Sequence, residues 1–376
     1  MKRLVLLGAG HAHLHVLRDL AQRADEAIHV TLVSPGPLAY YSGMIPGWFA
    51  GHYALTECTI ELLTLAGRAH AAFASSPAVL VNPGMRDVIL ANSQVIAYDV
   101  LSIDIGLQPL IGEAKGVAAN AFVVRPFERA IEGWERVLAD ALSGGVKSIS
   151  MVGAGAAGVE LALAMDFNLR THLGEAAPHV RVLTDAPSLL PGYGEGVRER
   201  FSRLLRKRNI GAHFSNAVAE VGRDFVKMAS GNEFASDATF WTAGGSAPRL
   251  IRDSGFRLDE RGYLAVNDCL QSLSHPEVFG AGDCATNVAN PRPKAGVFAV
   301  RAGPTLAGNL RAALAGQPLV PHVSSRRFLS LISTGDRNAV GSWGPLAWQG
   351  KWVWRWKDRI DRRWIEGIKE PGAGAR

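Results

Sequence analysis

Two stretches of this chain run through the same order of apolar segment, glycine turn and amphipathic segment, and that repetition restricts the fold more than any other feature. In the first, an apolar run ends at Gly8-Ala9-Gly10, Leu14, Leu17 and Leu20 then recur at helical spacing, and "IHVTLV" follows at residues 28–33. The second repeats the order as "SISMVGAGAAGVELALAM" and then "HVRVLT". Each reads as strand, glycine turn, helix, strand. Both predict a βαβ unit with a parallel sheet.

A glycine turn between strand and helix allows close approach of the backbone to a phosphate, and the helix start offers unpaired N–H groups with a positive dipole end. Gly8 and Gly10 fit that role, but His13 stands where the pattern has its third glycine. Gly153, Gly155 and Gly158 satisfy the full pattern. The expected fold class is therefore α/β, with two Rossmann-like dinucleotide-binding units. An acid normally closes the second strand to hold ribose hydroxyls. Ser34 stands at that point in the first unit, and Thr184 with Asp185 in the second, which leaves NAD and NADP both open.

His11, His13 and His15 raise the question of a metal. On a helix only His11 and His15 share a face, so the expectation is no metal, with His11 a donor to phosphate. Later apolar runs that stop at small residues mark further backbone approaches to a ligand: "VIAYDVLSIDIGLQP" with Gly106, "ATFWTAGG" with Gly244, and "EVFGAGDCA" with Gly282-Asp283. The first of these predicts a buried strand pair, and Gly303-Pro304 predicts a break or kink in the helical run 296–315.

With two such units followed by "FGAGDCA", the sequence resembles the two-dinucleotide-binding flavoproteins, the pyridine nucleotide-disulfide oxidoreductases. The resemblance implies FAD in the first unit, NAD(P)H in the second, and Asp283 on the ribityl chain. It implies domains of 1–112 with 267–320 for FAD, 113–266 for NAD(P)H inserted between them, and a C-terminal cap over 321–376. Within the family, "LVSPGPLAYYSGMIPGWFAGHY" is similar to a region of type II NADH dehydrogenases and sulfide:quinone oxidoreductases that runs toward the flavin ring. That similarity points to Ser42, Gly43 and Met44. "PKAG" likewise places Lys294 beside the ring, where a cation would stabilise the reduced flavin. Glu160 resembles a family glutamate at the nicotinamide and flavin edge. The "GAGHAHLHVL", "YSGMIPG" and "KAGVFAVRAGP" stretches most resemble the oxidoreductase domain found fused to selenide, water dikinase.

The implied reaction is hydride transfer from NAD(P)H to FAD, with Glu160 and Lys294 as catalytic candidates and a quinone or other small molecule as acceptor. Cys58, Cys269 and Cys284 lack the spacing of a redox pair, which counts against disulfide chemistry. A flavoprotein serving a selenium, sulfur or protein acceptor is the alternative, and a non-enzymatic redox-sensing module is the third reading.

Net charge is +6, and the tail concentrates much of it. Lys351, Arg355, Lys357, Arg359, Arg362, Arg363 and Lys369 share it with Asp358, Asp361 and Glu366, while six of the nine tryptophans lie from Trp343 onward. At helical spacing Trp352, Val353, Trp356, Ile360, Trp364 and Ile368 form one apolar arc, with Arg355, Arg359 and Arg362 opposite. Such a helix either docks on a membrane surface through residues 348–368 or packs on the protein's own core or a partner. No nucleic-acid reader motif is present, and oligomeric state is not legible. With no basic-then-apolar leader and no apolar run of about 18 residues, a cytoplasmic protein is expected, with a peripheral place on the cytoplasmic face of the membrane as the variant.

Overall fold

The structure, a computed structural model, describes residues 1–323, 325 and 327–370. Two five-stranded parallel sheets organise it. The first runs Val278–Gly280, Val100–Ile103, Lys2–Leu7, Ile28–Ser34, Ala71–Ser75. The second runs Ala121–Val123, Ala238–Trp241, Ser148–Val152, His179–Leu183, Gly211–His213. In each, the strand that ends at the glycine turn lies in the middle, with the sheet's next two strands in chain order on one side and strands from more distant segments on the other. That arrangement opens a crevice at the carboxyl ends of the strands.

The repeat extends past the βαβ units. After Ala71–Ser75 comes an antiparallel meander (Ala78–Asn82, Asp87–Leu90, Val95–Ala97), and after Gly211–His213 comes another (Val218–Val221, Phe225–Met228, Glu233–Ala235). Both return to the middle of their parallel sheets. The predicted strand pair in residues 95–109 is thereby corrected. Val95–Ala97 closes the meander and Val100–Ile103 joins the parallel sheet, because all four residues of Val100–Ile103 are buried while Val95 and Ala97 face solvent.

The first helix, His11–Gln22, buries Leu14, Val16, Leu17 and Leu20 in the core and packs against the helix Gly296–Ala315. A fully buried leucine such as Leu17 contributes about 2 kcal/mol by leaving water. The second helix runs unbroken through Gly303-Pro304, against expectation. Pro304 lies on the exposed side, where its ring meets solvent, and Gly303 lies inside, where a Cβ would stand 2.6 Å from that of His15.

The chain ends in a three-stranded antiparallel sheet (Leu329–Ser333, Ala339–Trp343, Leu346–Gly350) followed by the helix Lys351–Lys369. This helix is seated on the protein. Val353, Ile365 and Ile368 are buried, and the two isoleucines join an apolar core shared by both large sheets. The expected single apolar arc is split, since Trp352, Trp356 and Ile360 are 56%, 39% and 41% exposed. Among the described residues no helix is long and apolar enough to cross a membrane.

Candidate functional site

A cleft of about 460 Å³ opens at the carboxyl end of the first sheet. Gly8, Gly10, His11, Ser34, Ser42, Gly106 and Asp283 line it, as does Arg125, which reaches in from the other sheet's side. Gly8 has φ +91 and a Cβ there would lie 2.4 Å from Asp104 O, so only glycine fits. The N–H of His11 has no partner among the described residues and stands at the helix start, a ready anion donor. Among the described residues no three acid, cysteine or histidine side chains form a metal-binding group.

His13 explains how the first turn tolerates a missing glycine. Its ring is wholly buried, with Nδ1 2.6 Å from Gly8 O and Nε2 2.8 Å from Ser102 Oγ. A carbonyl can only accept, so Nδ1–H donates and Nε2 accepts from the serine. Burial lowers the His13 pKa to about 4, which keeps that neutral tautomer. At the matching place in the second turn a Cβ on Gly158 would lie 2.0 Å from Gly153 O. One turn is closed by contact, the other by a histidine strut.

Asp104 was not singled out by sequence. Its carboxylate lies at the start of the first helix, accepting from Ala12 N–H at 2.9 Å and His13 N–H at 3.3 Å, both on Oδ2. Gly10 and Gly282 flank it so closely that a Cβ on either would fall 2.2 or 2.3 Å from the carboxylate. Two glycines read as ligand contacts thus also make room for an acid. Arg125, likewise missed, binds Asp283 Oδ2 at 3.2 Å across the cleft. An acid inside the apolar run "LSIDIG" and an arginine closing "AFVV" were the available signals.

Other expected residues lie elsewhere. Met44 is fully buried, and Gly43 turns its carbonyl to Lys357 Nζ at 2.5 Å. Lys294 binds Ala285 O at 2.6 Å and Thr286 Oγ1 at 2.8 Å, and lies 4.0 Å over the Tyr263 ring. It lines a separate cavity of about 310 Å³ that shares Asp283 with the cleft, so Asp283 stands between the two spaces. Glu160, on the helix Ala156–Leu173, accepts from Ser333 N–H at 2.6 Å. Burial raises its pKa to about 7, against the pull of Lys357.

In the second cradle Gly153 has φ +111 and Gly155 begins the helix with open space where a Cβ would go. Thr184 is buried with Oγ1 accepting from Ala186 N–H, and Asp185 beside it is exposed. Gly244 has φ +63 and packs against Leu110.

The C-terminal helix reaches the loop before Gly43. Lys357 pairs with Asp361 at 2.6 Å, and Tyr41 Oη donates to Asp361 Oδ1 at 2.9 Å. Trp364 stacks on Tyr41 and lies 5.4 Å from His11. All three cysteines are free thiols, and burial pushes those of Cys58 and Cys284 up to about 12, far from the thiolate.

Two nucleotide cradles in tandem, an arginine between them and an acid after "FGAG" define an oxidoreductase that binds two dinucleotides. The profile of the pyridine nucleotide-disulphide oxidoreductases matches residues 2–303, and the chain belongs to that family. It is thus a flavin-dependent, NAD(P)H-using oxidoreductase. It is 25% identical over 297 residues to an NADH dehydrogenase-like protein of Mycobacterium tuberculosis, covering 76% of this chain and 73% of that one. It is 23% identical over 311 residues to the type II NADH:quinone oxidoreductase of Haemophilus influenzae, covering 72% and 69%. In fold it is similar to the sulfide:quinone oxidoreductase of Aquifex aeolicus, with TM-score 0.83 at 18% identity over 99% of this chain and 92% of that one. It is also similar to NDH2 of Plasmodium falciparum, with TM-score 0.79 at 14% identity over 100% and 99%.

Proposed function

We propose that the protein passes electrons from NAD(P)H through FAD to a quinone-type acceptor at a membrane surface. The observation that carries this reading is the two-sided C-terminal helix. Its inner face holds Lys357, Asp361 and Trp364 against the Tyr41–Gly43 loop, and its outer face leaves Trp352, Trp356 and Ile360 in solvent beside Arg355 and Arg359. An exposed aromatic stripe with basic neighbours suits an anionic lipid surface, and the acceptor named for the Haemophilus relative is a quinone.

On this reading residues 1–112 and 267–320 hold FAD, residues 113–266 hold NAD(P)H, and residues 321–376 form the cap, described through residue 370. Gly8, Gly10, His11, Ser34, Ser42, Gly106 and Asp283 hold the flavin dinucleotide. Gly153, Gly155, Gly158, Thr184, Asp185 and Gly244 hold the nicotinamide dinucleotide. When bound, the flavin supplies hydride acceptance and electron release. The chain's own part is to align the two rings and exclude water. Glu160, buried beside Ser333, holds or releases a proton at the carboxyl, and Lys357 supplies the opposing charge. Lys294, tied to Ala285 and Thr286, fixes the segment after Asp283. High thiol pKa values and the absence of a cysteine pair among the described residues favour this over a thiol-based relay.

The test is steady-state reduction of a short-chain quinone by NADH and by NADPH, with vesicle sedimentation of the wild type and a Trp352→Ser, Trp356→Ser, Ile360→Ser variant. Turnover with quinone, and vesicle binding lost only in the variant, are expected. Rapid flavin bleaching without quinone turnover would overturn the acceptor.

A further inference from the structure

The cleft at Gly8–Gly10 is poor in positive charge for a site that takes a dinucleotide. Asp104, Asp283 and Glu128 line it against one guanidinium, that of Arg125, which is already committed to Asp283. His11 does not help, since burial lowers its pKa to about 4 and leaves it neutral. A pyrophosphate adds two negative charges to that wall. Asp104 is the acid least able to stay ionised there, being 2% exposed and fixed at the helix start where a phosphate would approach.

We propose that Asp104 takes up a proton when the flavin dinucleotide binds, and that its neutral carboxyl then donates from Oδ1 to the pyrophosphate. The arrangement suits this. Oδ2 holds the amides of Ala12 and His13, while Oδ1 has no hydrogen bond among the described residues and lies between Gly10 and Gly282. Gly10 and Gly282 lack the side chains that would fill this space. The acid therefore replaces, as a hydrogen-bond donor, the two helix amides it has occupied.

Charged and titratable groups facing Asp104 come from each element around it. His11 and His13 on the first helix are neutral, Asp283 repels it from Gly282–Cys284, and Cys284 is a buried thiol. Burial already raises the Asp104 pKa to about 7, opposed by the amides of Ala12 and His13 and assisted by Asp283. Phosphate charge moves it further up. An acid whose pKa rises on binding makes the ligand bind more tightly as pH falls.

The proposal rests on the assignment of this cleft to FAD, and the experiment separates the two. Holoprotein is diluted at pH values from about 6 to about 8.5 and released FAD is read by its fluorescence, for the wild type and for Asp104→Asn. One linked proton weakens wild-type binding by up to about tenfold per pH unit above about 7. The Asn variant, which keeps an acceptor for the amides and has an N–H for the phosphate, is expected to show a flat profile. Parallel profiles in the two proteins would overturn the proposal, and protein that retains no flavin at any pH would overturn the cleft assignment instead. Should the variant fail to fold, calorimetric titration of wild-type apoprotein with FAD in two buffers of different ionisation enthalpy decides. Uptake of about half to one proton near pH 8 is expected, and no uptake would refute it.

Discussion

Trp364 stacks on Tyr41 with ring centroids 4.3 Å apart and planes 24° from parallel. The two residues come from opposite ends of the chain, and the contact joins the last helix to the loop that leads into Ser42 and Gly43. His11, at the start of the first helix, touches both rings at 5.4 and 5.5 Å. The tail is in this way a wall beside the first helix and the Tyr41–Gly43 loop.

Replacing Trp364 by Ala removes that wall. A loss of about 2–4 kcal/mol in unfolding free energy is expected, toward the low side because the ring is partly exposed. Trp364→Phe should keep most of the stability. Urea unfolding of the two variants checks this, and equal stabilities would show that the stack carries nothing.

The Lys357–Asp361 pair is nearly dry, with side chains 12% and 8% exposed. Removing one partner strands the other, so Lys357→Met or Asp361→Asn alone should cost about 3–5 kcal/mol. The double variant should recover part of that loss. Thermal unfolding of the three proteins measures the coupling, and additive losses would contradict it.

Glu160 should reverse the usual pH trend of a carboxylate. Its folded pKa is raised to about 7 from 4.5, so the native state binds the extra proton between those values. Its contribution is present below about 4.5 and is lost as pH rises toward 7, by about 1–3 kcal/mol. Glu160→Gln should flatten stability across that window, as read from denaturant midpoints at several pH values.

The second cradle offers a contrast of two glycines. Gly158→Ala forces a Cβ to within 2.0 Å of Gly153 O and should cost at least about 2 kcal/mol or abolish folding. Gly155 has a negative φ and open space, so Gly155→Ala should fold normally and weaken only the approach of NAD(P)H. Flavin content with anaerobic bleaching by NADH separates the outcomes: a yellow Gly155→Ala protein that bleaches only at raised NADH is expected.

Combined Cys58→Ala, Cys269→Ala and Cys284→Ala replacement should leave turnover with NADH within about twofold of the wild type, because none of the thiols is poised as a thiolate. A loss of turnover with full flavin content would restore a thiol to the mechanism.

Much of this architecture was legible in the sequence. Apolar runs and helical spacing around Gly8, Gly10, Gly153, Gly155 and Gly158 reported both parallel sheets, because a βαβ unit is a local pattern in which each element's buried face follows from neighbouring residues. "FGAGDCA" marked Asp283 through its family resemblance, and the fold places that residue in the cleft wall. Spacing could not reveal that His13 closes the first turn through Ser102, since the partner lies on a strand far along the chain. It could not assign Asp104 to the first helix, Arg125 to Asp283, or Lys357 to Gly43. It also joined Trp352, Trp356 and Ile360 with Val353, Trp364 and Ile368 in one arc. Helical geometry states which side chains share a face, whereas which part of that face is covered depends on what packs there. The local order of strands, turns and helices within the two βαβ units was thus settled by sequence, while the charge balance of the cleft and the seating of the tail arose from contacts between distant segments, which only the folded chain brings together.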